Sequence, residues 1–237
     1  MATASPEVIT VEQAVAEARV MAAGPGRRLL GLTGPPGSGK STVSAELLAE
    51  LPAGSAVVVP MDGFHLAQAE LERLGRADRK GAPDTFDAAG FVALLARLRS
   101  CGSGAGAGGP STGPDAARDC RPGTAGGDAV VYAPLFRREI EEPIACALPV
   151  PVDVPLVVVE GNYLLLDDGD WARVRPLLDA CWYVDLDDAV RVERLIARHV
   201  VHGRSPEAAA EWVLRSDEAN ARVIAASRAR ADRIVHR

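Results

Sequence analysis

The eight residues Gly34-Pro-Pro-Gly-Ser-Gly-Lys40-Ser41 constrain this chain more than any other stretch. They follow an apolar run, Leu29-Leu-Gly-Leu-Thr33, and precede a segment in which Val43, Leu47, Leu48 and Leu51 fall on one side of a helix. A strand, a Gly-x-x-x-x-Gly-Lys-Ser loop and a helix, in that order, are what a phosphate-binding loop requires. Glycine removes the Cβ that would keep backbone N–H groups from converging on phosphate oxygens. The helix that starts at the loop points its positive end at the same anion. The spacing therefore predicts that Gly34, Pro35, Pro36, Gly37, Ser38, Gly39, Lys40, Ser41 and the adjoining Thr42 hold a nucleoside triphosphate. Lys40 is placed to put a point charge on the β/γ-phosphates, and Ser41 to offer its hydroxyl to Mg²⁺.

A chain of 237 residues fits one large α/β domain. Hydrophobic residues make up 48% and aromatics only 4%, so the core must be built from Leu, Val and Ala, which suits a parallel sheet covered by helices. The net charge of −6 speaks against a general nucleic-acid binder. The N-terminus lacks a basic region followed by an apolar core, and no apolar run reaches the ~18–20 residues of a membrane span. Cys101, Cys120, Cys146 and Cys181 show no C-x-x-C pair or zinc spacing and are expected to be reduced thiols. A cytoplasmic protein without membrane attachment is the expectation.

Along the chain, residues 8–23 are expected to open with a helix, and residues 28–33 to form the first strand. Residues 56–61 are a second buried strand with Asp62 at its exit, and Asp87 caps a helix carrying Phe91, Leu94, Leu95 and Leu98. Residues 101–128 hold nine of the chain's 23 glycines and three prolines without apolar periodicity, which predicts a flexible Gly/Pro-rich insertion. Leu156-Val-Val-Val159 is a third buried strand ending at Glu160, Ala180–Val184 a fourth ending at Asp185, and Asp232-Arg-Ile-Val-His a fifth. Asp187 or Asp188 caps a helix running to His202, and Ser205-Pro206 starts the next. Alternating strands and helices predict a three-layer α/β sandwich of the P-loop NTPase type. Its sheet is five-stranded and mainly parallel, and a helical lid lies around residues 198–206. Ligands bind such sheets at the strands' carboxyl ends, where the loop, Asp62 and Glu160 all fall.

Asp62 is the candidate general base for an attacking hydroxyl. It is also a plausible N-cap or magnesium ligand on sequence grounds. Glu160 ends a buried strand and is the candidate Mg²⁺ carboxylate together with Ser41. Arg198 and Arg204 bracket a helix–turn–helix and are candidates to offset transition-state charge, whereas Arg194 fits an ordinary solvated face. His65, Tyr132 and Arg137, with Arg138 beside it, are candidate substrate contacts, and His65 is equally compatible with a structural role. Arg79 and Lys80 fit either an anionic substrate or plain solvation.

Gly34–Ser41, Met61-Asp-Gly-Phe-His, Lys80-Gly-Ala-Pro-Asp-Thr-Phe-Asp, Tyr132-Ala-Pro-Leu-Phe-Arg, Glu160-Gly-Asn-Tyr and Arg198-His-Val-Val-His-Gly-Arg, taken together, resemble the phosphoribulokinase/uridine kinase family. The resemblance covers nearly the whole chain apart from residues 101–128 and extends to pantothenate kinases and fructose-transport-associated kinases. It implies transfer of the γ-phosphoryl group of ATP to a small-molecule hydroxyl, with Asp62 as base and Arg198 and Arg204 as lid arginines. It also implies a homodimer, since family members are often dimers. Asp62-Gly-Phe-His departs from the Asp-Ser-Phe-Tyr usual in uridine kinases, and His199 stands where their lid carries Asp; both weaken the case for uridine. The competing reading is a regulatory ATPase without a phosphoryl acceptor. A GTPase is disfavoured because neither Asn162 nor Asn220 is followed by lysine.

Overall fold

The structure, a computed structural model, describes residues 5–101 and 129–237. The expected insertion at 101–128 lies outside the described residues except for Cys101. In chain order the elements are β1 (Glu7–Ile9), α1 (Val11–Ala23), β2 (Arg28–Thr33), α2 (Lys40–Glu50), β3 (Ala56–Pro60), α3 (Gln68–Arg73) and α4 (Ala88–Cys101). They continue as β4 (Val130–Arg137), β5 (Glu142–Pro151), β6 (Leu156–Glu160), β7 (Ala180–Asp185), α5 (Asp188–Val201), α6 (Pro206–Trp212), α7 (Glu218–Ala225) and β8 (Arg233–His236).

Six strands pair, all in parallel, in the order β1-β8-β7-β2-β6-β3. The α/β class and three-layer arrangement are as the pattern predicts, but the sheet carries one strand more than the five expected. The addition is Glu7–Ile9, whose last two residues, Val8 and Ile9, fall within the helix expected over 8–23. Thr10 explains the boundary. Its hydroxyl accepts from the Gln13 N–H while the Gln13 side chain accepts from the Thr10 N–H, a capping box that starts α1 at Val11. The residues before the cap are thereby free to extend and pair with β8.

Strand alternation sorts the core into two sides. Leu29, Val157, Val159, Cys181 and Tyr183 face one cluster, closed by Phe91, Leu94, Leu95 and Leu98 of α4. Leu30, Leu32, Val158, Trp182 and Val184 face the other, closed by Ala14, Val15 and Ala18 of α1 and by Val43 and Leu47 of α2. The central strands are thus apolar on both faces, as parallel strands under helices must be.

β4 and β5 form an antiparallel hairpin separate from that sheet. The long helix expected after Ser205 is α6 and α7 joined by a π-helical turn, Val213–Asp217. Ser205 and Asp187 cap α6 and α5 as the sequence suggests. Asp185, at the end of β7, pairs with Arg228 at 2.9 Å. Cys146 and Cys181 are free thiols, and Cys101 is disulfide-bonded, against the expectation of reduced cysteines throughout.

Arg27 ties three layers together from a buried position. Its guanidinium donates to the carbonyls of Val154 (3.1 Å) and Leu98 (3.2 Å) and to that of Pro151. Arg27→Met keeps the apolar stem and leaves these carbonyls without their donor. It is expected to cost about 2–4 kcal/mol of stability, measured by urea unfolding with an unchanged m-value.

Candidate active site

The site follows from sheet order. β6 lies between β2 and β3, and Glu160 is level with Leu32 on one side and Pro60 on the other. The chain leaving β2 is therefore the glycine loop, and the chain leaving β3 is Asp62, with Glu160 between them. Ser41 Oγ donates to Glu160 Oε1 at 2.6 Å, and Ser44 Oγ donates to Oε2 at 3.1 Å. A carboxylate and a hydroxyl in direct contact are hard oxygen donors, the type Mg²⁺ selects.

The loop has the backbone that a phosphate cradle needs. Gly34, Gly37 and Gly39 have φ of 146°, 81° and 92°, a region where side chains are strained. α5 lies over the loop: a Cβ on Gly37 would meet Leu195 Cγ at 2.7 Å and the Arg191 carbonyl at 2.9 Å. Arg191, itself buried, anchors that helix by donating to Pro36 O (3.3 Å), Asp188 (2.9 Å) and Glu218 (2.5 Å). Lys40 is buried, and its Nζ donates to the carbonyls of Gly34 (2.8 Å) and Pro35 (3.1 Å). Ser38 Oγ is buried and without a hydrogen-bond partner among the described residues. A loop with left-handed glycines, a buried ammonium and an unsatisfied hydroxyl fits an anionic polyphosphate.

Asp62 sits in the 3₁₀ turn Met61–Phe64, where its carboxylate makes no capping hydrogen bond. Its Oδ2 lies 3.5 Å from Arg138 Nη2. The hairpin reaches this point because Gly63 has no side chain: a Cβ there would collide with the Pro134 carbonyl. His65 makes contacts within the fold. Nδ1 donates to the Asp62 carbonyl at 2.7 Å, and the ring lies 4.0 Å from Phe86 and 4.7 Å from Phe136 between centroids. Burial holds its pKa below the usual imidazole value, against the pull of Asp62. Lys80 donates to Glu141 O at 2.6 Å and so fastens the hairpin's turn. Tyr163 of the Glu160-Gly-Asn-Tyr run is buried and donates to Gly81 O at 2.5 Å, joining the β6 exit to the Lys80 loop.

These elements enclose a cleft of about 280 Å³ lined by Gly37, Gly39, Lys40, Ser41, Thr42, Asp62, Glu160 and Arg198, among others. Arg138, named beside Arg137 as a candidate substrate contact, also lines the cleft, as do Arg194, Gly161 and Asn162, which the sequence does not mark as site residues. Arg194, expected on an ordinary solvated face, lies mid-way along α5 on the side that borders the cleft. Arg198 is exposed at the cleft, but the surrounding protein still lowers its pKa by desolvation, with the charge of Arg138 acting the same way. Outside the cleft lining, besides Gly34, Pro35 and Ser38 of the loop and His65, lie Arg204, Tyr132 and Arg137. Arg204 stacks over the Trp212 ring at 4.3 Å, Tyr132 is 52% exposed on the hairpin, and Arg137 is exposed beside Arg138.

Burial pushes the Lys40 pKa down to about 8, although Glu160 and Asp62 oppose the shift. The unfolded chain therefore holds the proton to higher pH than the native state, and stability attributable to this group rises with pH. Wild-type stability measured relative to Lys40→Met is expected to increase as the pH is raised from about 8 to 10.5, the range between native and unfolded pKa values. Urea unfolding across that range checks the sign.

No protein-family model matches the chain. Individual relatives do. A Schizosaccharomyces pombe protein provisionally named uridine kinase C227.14 is 32% identical over 204 residues, covering 82% of this chain and 76% of its own length. The uncharacterized protein YggC of Escherichia coli is 34% identical over 200 residues, 82% of this chain and 71% of its own. Among solved structures, a Silicibacter sp. TM1040 protein provisionally described as a fructose transport system kinase is 35% identical. It superposes with a TM-score of 0.76 over 95% of this chain and 98% of its own. YFH7 of Saccharomyces cerevisiae, provisionally described as a P-loop-containing kinase with a circular permutation, shares the fold at 18% identity with a TM-score of 0.74 over 97% of this chain and 99% of its own. With relatives above 30% identity over most of both chains, and with the glycine loop, Ser41–Glu160 pair and Asp62 drawn to one cleft, this chain belongs to the phosphoribulokinase/uridine kinase family of P-loop kinases.

Proposed function

We propose that the chain is an ATP-dependent kinase that transfers the γ-phosphoryl group to an alcohol hydroxyl of a small molecule. Nucleoside, sugar and pantothenate-like alcohols are the acceptor classes in view. One observation carries the reading: Asp62 opens into the same cleft as Lys40, Ser41 and Glu160. A nucleotide-hydrolysing switch needs the last three but has no use for a carboxylate positioned to take an alcohol's proton.

The roles follow from placement. Loop N–H groups and Lys40 bind the triphosphate and draw charge toward the β/γ-bridge. Ser41 and Glu160 are the residues that would hold Mg²⁺, which when bound supplies charge neutralisation on the phosphate oxygens. Asp62 accepts the hydroxyl proton as the acceptor oxygen bonds to the γ-phosphorus and the bond from that phosphorus to the bridging oxygen breaks, releasing ADP. Arg198, at the cleft's α5 wall, offsets charge on the transferring group. Arg204 serves the same end only if the turn around residues 202–204 moves toward the cleft.

Asp62→Asn preserves shape and removes the proton acceptor. It is expected to lower kcat about 10²–10⁴-fold while leaving the KM for ATP within about threefold. The measurement is ATP consumption against nucleosides, sugars, glycerate and pantothenate. ATP loss that no acceptor accelerates would sink the kinase reading in favour of a regulatory ATPase. Glu160→Gln keeps the serine contacts but weakens the cation's ligand. The Mg²⁺ concentration giving half-maximal rate is expected to rise about ten- to hundredfold, read from a metal titration at saturating nucleotide.

A further inference from the structure

We infer that the acceptor alcohol carries an anionic oxygen group, a carboxylate or a phosphate, and that Arg138 is the residue that binds it. This rests on the kinase reading above.

Arg138 follows β4 at the tip of the hairpin, an element separate from the loop and α5 walls that carry Lys40, Arg194 and Arg198. It therefore enters the cleft from the side of Asp62, where the acceptor hydroxyl must lie. Its placement is built. Gly63 lets the hairpin backbone rest against the Asp62 turn. Lys80 holds the Glu141 carbonyl at 2.6 Å. The Glu142 carboxylate accepts from the N–H of Gln68, the first residue of α3, at 3.1 and 3.2 Å. Three contacts thus fix a short hairpin turn whose exposed cation faces the cleft.

The guanidinium is under-used where it stands. Among the described residues its one charged partner is Asp62, at 3.5 Å, beyond hydrogen-bond length, with the two side chains 48% and 38% exposed. A half-exposed pair of this kind is worth little, so it exchanges readily for a better partner. A guanidinium presents a planar fork suited to two oxygens of a carboxylate or phosphate. Its neighbour Arg198 is also a cation, close enough that Arg138 lowers its pKa, so the space beside Asp62 is electropositive before any ligand arrives. An anionic group on the acceptor satisfies Arg138 and draws it off Asp62, which leaves the carboxylate free to take the hydroxyl proton. A neutral acceptor leaves Arg138 over the base. Binding of the acceptor's charge and exposure of the base thereby become one event.

The test compares matched acceptors: glycerate against glycerol for the carboxylate, ribose 5-phosphate against ribose for the phosphate, with uridine as a neutral nucleoside. Wild-type enzyme is expected to prefer one anionic member over its neutral counterpart by at least about tenfold in kcat/KM, and which pair responds names the group. Arg138→Ala is expected to raise the KM for that acceptor about ten- to hundredfold, with kcat and the KM for ATP within about threefold, and Arg138→Lys to recover part of the loss. An unchanged KM for ATP also verifies that the variant is folded. Equal use of neutral and anionic acceptors, or a loss of kcat in Arg138→Ala that is the same for every acceptor, overturns the inference while the kinase reading stands. ATP turnover that none of these acceptors, nor the wider panel above, accelerates removes the kinase reading and this inference with it.

Discussion

The candidate site depends on the contact between Glu160 and Ser41. That contact joins the end of one strand to the first turn of the helix that follows another, at 2.6 Å. It forms only because β6 is inserted between β2 and β3, which follow one another in sequence but do not pair. With β6 in the middle, one carboxylate is level with both neighbouring strand exits. The phosphate loop leaves one exit and the candidate base leaves the other. A sheet with β3 beside β2 would bring Asp62 to the loop and leave Glu160 at the margin.

A second set of contacts assembles the acceptor side, and it draws on residues that look functional in isolation. Gly63, His65, Lys80 and Tyr163 all lie in the motif runs that carry the family resemblance. Each is engaged in holding one segment against another. His65 binds the Asp62 carbonyl, Lys80 the Glu141 carbonyl and Tyr163 the Gly81 carbonyl. These contacts fix the relation of Asp62 to the hairpin. Arg138 benefits from that scaffolding: rigid support on three sides puts a loosely paired guanidinium next to Asp62.

The limits of sequence reasoning appear at element ends. The apolar runs at 28–33, 156–159 and 180–184 mark buried strands, and the structure covers them on both faces, because such runs leave no other way to be buried. At the end of β4 the alternation stops, and nothing local distinguishes Arg137 from Arg138. The turn that follows points Arg138 toward Asp62 and leaves Arg137 outside the cleft lining. The three-residue strand Glu7–Ile9 was hidden for a similar reason, being too short to show a period. The Thr10–Gln13 capping box was the available signal that the helix begins later. Arg204 was chosen for bracketing a turn, and in the structure it stacks on Trp212, which lies eight positions further along the chain. That contact runs the length of α6, from the residue before its Ser205 cap to its last residue.

By itself the sequence determined the phosphate loop, since the need for left-handed glycines, a lysine and a helix start is local and leaves a local signature. It also determined the α/β class, because apolar runs alternating with amphipathic segments can be buried in few other ways. The tertiary structure alone decided which carboxylates and arginines share the cleft. Gly34 to Ser41, Asp62, Arg138, Glu160 and Arg198 are spread over most of the chain, and their proximity is a consequence of strand order and of one hairpin docking on a glycine. Those are long-range packing outcomes, settled by which apolar faces bury against each other.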